Sequence, residues 1–330
     1  MSTPLPTVQI WDATGTNALG VLEGYSSIDI TDVFCDAGVC RLTFPASVNG
    51  SQHLDVDTDW QLAVIMPGVT NPMWFVSDDD ETTWVTADPA TEPITLTCRS
   101  LHALLEETLV LPSGGAGTLP AEWAFTTATP GKVVKDLWDA AQLRGALENV
   151  TLSGDATVDA DGAAWGSTVT VTYKAGTTLA QVCKGLYGAG LLEFRWNGRE
   201  FEIYKDSGGL DRNVDLTFRP GWDVLSAPLI RSRRDLATGV LVEGTGSDTE
   251  WRTQSLTDMR FREVYVSETS APGSSLADIG DLFLTAHSLT NVQITHELTD
   301  ADATWRPWVD FRPGDRVLTS AFGWRGPWID

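Results

Sequence analysis

The sequence predicts a mainly β protein with an α+β insert: a first β domain over residues 1–111, an inserted domain over 112–221 and a second β domain over 222–330. Three observations predict it. Much of the chain falls into short runs that alternate apolar and polar residues with period two, the pattern of strands with one wet face. Recognisable helices are few. A Gly- and Pro-rich stretch, residues 112–120, coincides with a shift in charge. Residues 1–112 hold 16 acidic and 2 basic side chains, residues 113–224 hold 14 and 10, and residues 225–330 hold 15 and 10.

In chain order, residues 60–66 and 94–98 read as strands. A short helix is expected over 101–107, with Ser100 as its cap. A better one spans 130–143. Thr129 caps it, Pro130 suits the first helical position, and Val133, Val134, Leu137, Trp138 and Ala141 form one face. Residues 168–173 alternate as a strand. A third helix spans 178–187 and stops at Gly188 as a left-handed cap. Residues 191–196 and 199–204 flank Asn197 and Gly198. That dipeptide tolerates the positive φ angles of a type I′ turn, so a hairpin is expected. A second break lies near Arg219, and a fourth helix is a candidate over 276–289. No short repeat is present.

At 330 residues the chain is long enough for two or three domains, and no apolar run approaches the roughly 20 residues that span a bilayer. The N-terminus lacks a basic region and an apolar core, so no secretory signal and no membrane anchor are expected. The net charge of -23 argues against a nucleic-acid surface and against docking on anionic lipid. Four cysteines are too few for a disulfide scaffold. Cys35 and Cys40 flank a plausible hairpin tip and are close enough in sequence to pair across it, whereas Cys98 and Cys183 sit in apolar stretches as buried thiols.

Catalytic and metal motifs fail one by one. His296 begins a zinc-protease-like phrase, but Asp300 stands where a second His is required. The run from Gly114 to Gly117 has no Lys and no following helix to cradle a phosphate. Asp55, Asp57 and Asp59 open like a calcium loop, but Trp60 and Met66 occupy the places of its glycine and glutamate. Glu106 and Glu107 are helix neighbours that point to different sides and cannot flank one glycosidic bond. No catalytic, cofactor or metal residue is assigned, and no enzyme activity is expected. The chain's 14 tryptophans suit cores and subunit contacts better than sugar stacking, with Trp305, Trp308, Trp324 and Trp328 as the candidate interface aromatics.

Several stretches resemble the baseplate-hub or minor tail proteins of long-tailed phages, the siphoviruses of actinobacteria. Residues 25–30 and 38–45 look like that family's paired opening strands, the second closing in Phe44 and Pro45. Residues 54–66, Trp74 with its following residues, and 96–112 look like the next strands, short helix and proline exit. Residues 177–183 and the hairpin after them resemble the inserted domain, and residues 310–317 resemble a proline–glycine–aspartate turn starting a late barrel strand. The chain ends sooner after that strand than such a barrel leads one to expect.

The resemblance implies two barrel-like domains, like those of phage tail tubes and hubs, flanking the insert. It implies a homotrimer at the virion's tail tip, assembled in the host cytoplasm, that mimics a six-fold ring and caps the tail tube. Its implied partners are the distal tail protein, the tape-measure protein, and other minor tail, fibre or spike proteins. DNA would pass without specific binding, so part of the acidic set faces the channel: Asp55, Asp57, Asp59, Asp78, Asp79, Asp80 and Glu81 are the candidates. The alternatives are a hexameric distal tail protein, or a tail-associated protein that binds or hydrolyses cell wall or polysaccharide.

Overall fold

A computed structural model of the chain describes residues 5–45, 47–54, 59–77, 93–111, 122–205, 213–218, 224–226, 229–232, 236–244, 248–255, 262–267, 276–288, 291–294, 297–298 and 306–319. The first region contains β1 (Thr7–Asp12), β2 (Ala18–Leu22), β3 (Ser27–Thr31), β4 (Val39–Pro45), β5 (Trp60–Ile65), β6 (Met73–Ser77), β7 (Pro93–Ser100) and α1 (His102–Glu107). The middle contains β8 (Glu122–Ala128), α2 (Pro130–Gln142), β9 (Thr151–Ser153), β10 (Val169–Lys174), α3 (Leu179–Gly188), β11 (Leu192–Asn197) and β12 (Glu200–Lys205). The last region contains β13 (Asn213–Phe218), β14 (Val224–Ser226), β15 (Leu229–Ser232), β16 (Gly239–Glu243), β17 (Thr249–Thr253), β18 (Glu263–Ser267), α4 (Leu276–Ala286), β19 (Asn291–Ile294), β20 (Glu297–Leu298) and β21 (Arg316–Thr319). The molecule is mainly β with a mixed middle, as the sequence predicts.

The first seven strands form one antiparallel sheet in the order β2-β1-β5-β6-β7-β4-β3. Among the described residues it stays open, with β2 and β3 at its ends. Alternation decides which face is inside: Cys40, Leu42 and Phe44 of β4 point inward with Val8, Ile10, Leu62, Val64 and Leu96. β5 departs from alternation, because Gln61 and Ala63 on its other face are buried too. The middle region covers that face, where Arg199 donates to the Gln61 side chain.

The middle region shares a core with the first. Leu101, Ala103 and Leu105 at and within α1 and Val76 of β6 pack with Val133, Leu137 and Trp138 of α2, Val182 and Leu186 of α3, and Phe194 and Phe201 of the hairpin. Trp138 stacks on Phe201 at 5.6 Å. Burying each such side chain contributes roughly 1.5–3 kcal/mol. α2 buries the face its spacing predicts, and the Thr129 hydroxyl accepts from the Lys132 N–H at 3.1 Å.

Three local expectations are corrected, and the open question of the cysteines is answered. Ser100 is the last residue of β7, and its hydroxyl accepts from the Gly38 N–H at 2.9 Å instead of capping α1. After α3 the left-handed residue is Gly190, with φ 67°, and Gly188 is still helical. In the hairpin Asn197 pairs with Glu200, so Gly198 and Arg199 form the two-residue loop. Only Gly198 there has positive φ, which marks a type II′ turn. All four cysteines are buried thiols, and Cys35 and Cys40 are not joined. The Cys35 Sγ meets the Phe194 backbone instead, and burial pushes its pKa up to about 12.

In the last region β16 lies between β17 and β18, and α4 packs on one face of this sheet through Val240, Val242, Leu276 and Leu284. The remaining strands pair two by two: β13 with β21, β14 with β20, and β15 with β19. Gly314, at φ 92°, turns the chain into β21, as the proline–glycine–aspartate phrase suggests.

Candidate functional site

The tip of the β11–β12 hairpin is where the three regions meet. Arg199, in the turn, reaches back to the first sheet. Its Nη1 donates to Gln61 Oε1 at 2.6 Å, its Nη2 to the Thr14 carbonyl at 3.1 Å and its Nε to the Asn149 carbonyl at 2.7 Å. Its guanidinium also lies 4.5 Å from the Trp74 ring centroid, a cation–π contact. Gln61 in turn donates to the Ala13 carbonyl at 2.6 Å. Gly15 is required here twice over. Its φ is +67°, and a Cβ would lie 2.1 Å from Arg199 Nη1.

Asn149 adds a second strap, donating to the Thr14 carbonyl and to Thr16 Oγ1. Asp12 organises the receiving turn. Asn17 donates to its carboxylate at 2.6 Å and the Thr16 N–H at 2.8 Å, and these bonds hold its pKa down at about 2.

One residue before the turn, the Asn197 Oδ1 accepts from Asn71 of the first region at 2.9 Å and from Arg312 of the last at 3.3 Å. Its amide donates to Glu202, which also accepts from Arg195 and from the Tyr204 hydroxyl, each at 2.6 Å. Burial alone would raise the Glu202 carboxyl. The Tyr204 and Arg195 bonds outweigh it, and the group lies below the ordinary carboxylate range.

Beside this network runs a cleft walled by Phe34, Trp74, Trp196, Trp308, Arg195 and Arg312 among others, with a cavity volume of about 80 Å³. The Trp308 indole N–H donates to Asp32 at 3.3 Å. Burial raises the Asp32 carboxyl, and this bond opposes it. The arrangement is a network of polar contacts between aromatic walls, in which the buried Arg195 Nη1 and Trp196 Nε1 find no acceptor among the described residues. Chemically it clamps three chain segments together. Among the described residues of the cleft, burial raises the Cys35 thiol and the Asp32 carboxyl, so both favour their protonated forms.

The sequence-predicted site residues fall in different places. Trp308 stands half-buried in the cleft wall. Trp305, Trp324 and Trp328 lie outside the described residues. Asp59 is exposed just before β5, whereas Asp55, Asp57, Asp78, Asp79, Asp80 and Glu81 lie outside the described residues, as do His296 and the run from Gly114 to Gly117. Glu106 and Glu107 are both held by Arg99, each at 3.0 Å. Among the described residues no group of His, Cys, Asp and Glu gathers to hold a metal, and no helix is long and apolar enough to cross a membrane. The clamp at Arg199 and Asn197 escapes the sequence reading, which takes Asn197 as a turn residue only.

No protein-family profile and no curated protein matches the chain. Solved structures do. The 43 kDa tail protein of prophage MuSo2 from Shewanella oneidensis is 14% identical, with 96% of this chain and 89% of that one aligned at a TM-score of 0.57. The tail protein from Neisseria meningitidis MC58 is 12% identical, with 97% and 87% aligned at a TM-score of 0.59. Over almost its whole length, therefore, the chain has the fold of two phage tail proteins.

Proposed function

We propose that the chain is a structural virion protein of a phage tail, and more specifically a trimeric hub at the tail tip. The observation that carries the reading is the agreement of fold with two tail proteins across 96–97% of this chain. The clamp supports it, because a structural role asks that the regions be fixed to one another and not hinged around a substrate. In this reading the divisions at residues 1–111, 112–221 and 222–330 are its building units. The ring caps the tail tube, holds the end of the tape-measure protein and anchors fibre or spike proteins. Asp59 and its neighbouring acids line the channel, and Trp308 with Trp305, Trp324 and Trp328 serves contacts between proteins. The role is non-enzymatic.

A phage carrying a stop codon in this gene tests the proposal. It should yield no complete tails, with unjoined tube or tip parts accumulating instead. Morphologically normal tails that adsorb but fail to degrade host polysaccharide would overturn the structural reading in favour of a tail-borne enzyme.

A further inference from the structure

The sheet of β16, β17 and β18 buries one face under α4. On its other face Leu241 stands opposite Trp251 in β17 and opposite Tyr265 in β18. The three form a row across the sheet, its two rings separated by two strand spacings, roughly 9–10 Å. Trp251 is 43% exposed and Tyr265 57% exposed. The Tyr265 hydroxyl donates to Glu243. The other outward positions carry Glu263, Thr249, Thr253 and Ser267, and none carries Lys or Arg. This is an aromatic row with an acidic rim, and exposed Trp and Tyr are side chains around which interfaces gather their energy.

The opposite chemistry occurs elsewhere on the same chain. Leu143, just past α2, is 80% exposed, and Leu109, just past α1, is 44% exposed. Arg144 ties them together, donating to the Ala140 carbonyl at 2.9 Å and to the Leu109 carbonyl at 2.7 Å. Lys174 is exposed at the end of β10, and the turn after it closes on Val110 through the Gly176 N–H. Two exposed leucines thus sit with Arg144 and with Lys174, the latter standing directly across from Glu122 of β8, in a chain whose acids outnumber its bases 45 to 22.

We propose that the outer face of the β17-β16-β18 sheet docks on the corner formed by Leu109, Leu143, Arg144 and Lys174 of a second copy of this chain. The inference rests on the trimer reading above and supplies its contact. A cyclic trimer needs two different, complementary patches on each subunit, joined head to tail. Pairing the sheet face with its own copy would set Glu243 and Glu263 against each other, whereas the corner offers Arg144, with Lys174 shared between the incoming acids and its neighbour Glu122. The face measures roughly 14 by 17 Å from its strand spacing and length. It therefore forms the centre of an interface that needs about 800 Å² per partner.

Two double variants of the full chain test it. One removes the face (Trp251→Ser with Tyr265→Ser), and the other reverses the corner (Leu143→Asp with Arg144→Glu). By sedimentation velocity the wild-type chain should form trimers, and each variant alone should be monomeric with an unchanged circular dichroism spectrum. Mixed in equal amounts, the variants should form a heterodimer and go no further, since each retains one good patch. Trimers from either variant overturn the pairing and leave the hub reading standing. So does a face variant that stays trimeric but loses binding to purified host polysaccharide, which would make the row a sugar platform. Variants that lose the wild-type spectrum are replaced by Glu243→Lys and Arg144→Glu; monomers from each alone and association on mixing support the pairing, and no association overturns it. A wild-type chain monomeric at its highest soluble concentration also overturns the pairing. The symmetry of the assembled tail then decides separately whether the hub reading survives.

Discussion

Arg199 spends its guanidinium on acceptors from the first sheet and from the loop after α2. Replacing it by alanine leaves Gln61 Oε1, in a side chain only 4% exposed, without its charged donor. Arg199→Ala should cost about 1.5–3 kcal/mol in chemical denaturation, and Arg199→Lys should not restore it, because a point charge cannot reach three separated acceptors. Equal stability of Arg199→Ala and wild type would contradict the clamp. Nothing in the sequence marks this residue. Gln61 and Thr14 lie 138 and 185 positions away, and only the fold brings them together.

His102 yields a second residue-scale prediction. Its two ring nitrogens are buried without hydrogen-bond partners, and the ring stacks on Phe194 at 5.6 Å. Burial, helped by Lys184 and opposed by Glu106 and Asp36, lowers its pKa below the usual imidazole value. The folded chain therefore keeps His102 neutral where the unfolded chain, with a pKa of about 6.5, takes up a proton. The contribution is intact above about pH 6.5 and is lost as pH falls below it. His102→Phe keeps the stack and removes the ionisation, so its stability should fall less between about pH 7 and pH 5. Parallel pH profiles for variant and wild type would contradict this.

At the scale of elements, what the sequence shows depends on how local the cause is. The Thr129 cap is legible because its bond spans three residues, and the α2 face because helical spacing alone selects it. The hairpin is legible as a hairpin, but its turn is not. Asn197 invites a type I′ assignment, yet tertiary bonds to Asn71 and Arg312, with a bond to Glu202 in the facing strand, hold it in the strand and shift the loop to Gly198 and Arg199. Ser100 misleads for the same reason, since Gly38, 62 positions away, takes its hydroxyl. Gly198 is accordingly the turn's conformational requirement. Gly198→Ala forces an L side chain to φ 65° and brings a Cβ within 3.4 Å of Asn71. It should destabilise the protein by about 1–3 kcal/mol, whereas Asn197→Gly should retain the hairpin but loosen the contact with Asn71 and Arg312. Thermal melting of the two variants distinguishes these outcomes, and an unaffected Gly198→Ala would reject the type II′ turn.

Across the whole molecule, the sequence carries the fold class through its alternating runs and the charge break near residue 112. It does not disclose the shared core, because Val76, Leu105, Trp138 and Phe194 come together only in three dimensions. The acidity of residues 1–112 acquires a role if the chain rings the tail lumen. DNA carries about one negative charge per 1.7 Å of axis. Screening confines repulsion to about 8–10 Å, a reach that a narrow channel never exceeds. Replacing several of Asp55, Asp57, Asp59, Asp78, Asp79, Asp80 and Glu81 by Lys should slow DNA release from virions that assemble and adsorb normally. Unchanged ejection kinetics would leave those acids to surface solubility.

The hub reading stands or falls on the symmetry of the layer this protein occupies. An electron cryomicroscopy reconstruction of the assembled tail, with the chain fitted into its density, measures that directly. Three copies around the axis at the tip, closing the tube, is the expected result. Six copies would make the protein a distal tail ring, and density for it away from the tube axis would remove it from the hub altogether.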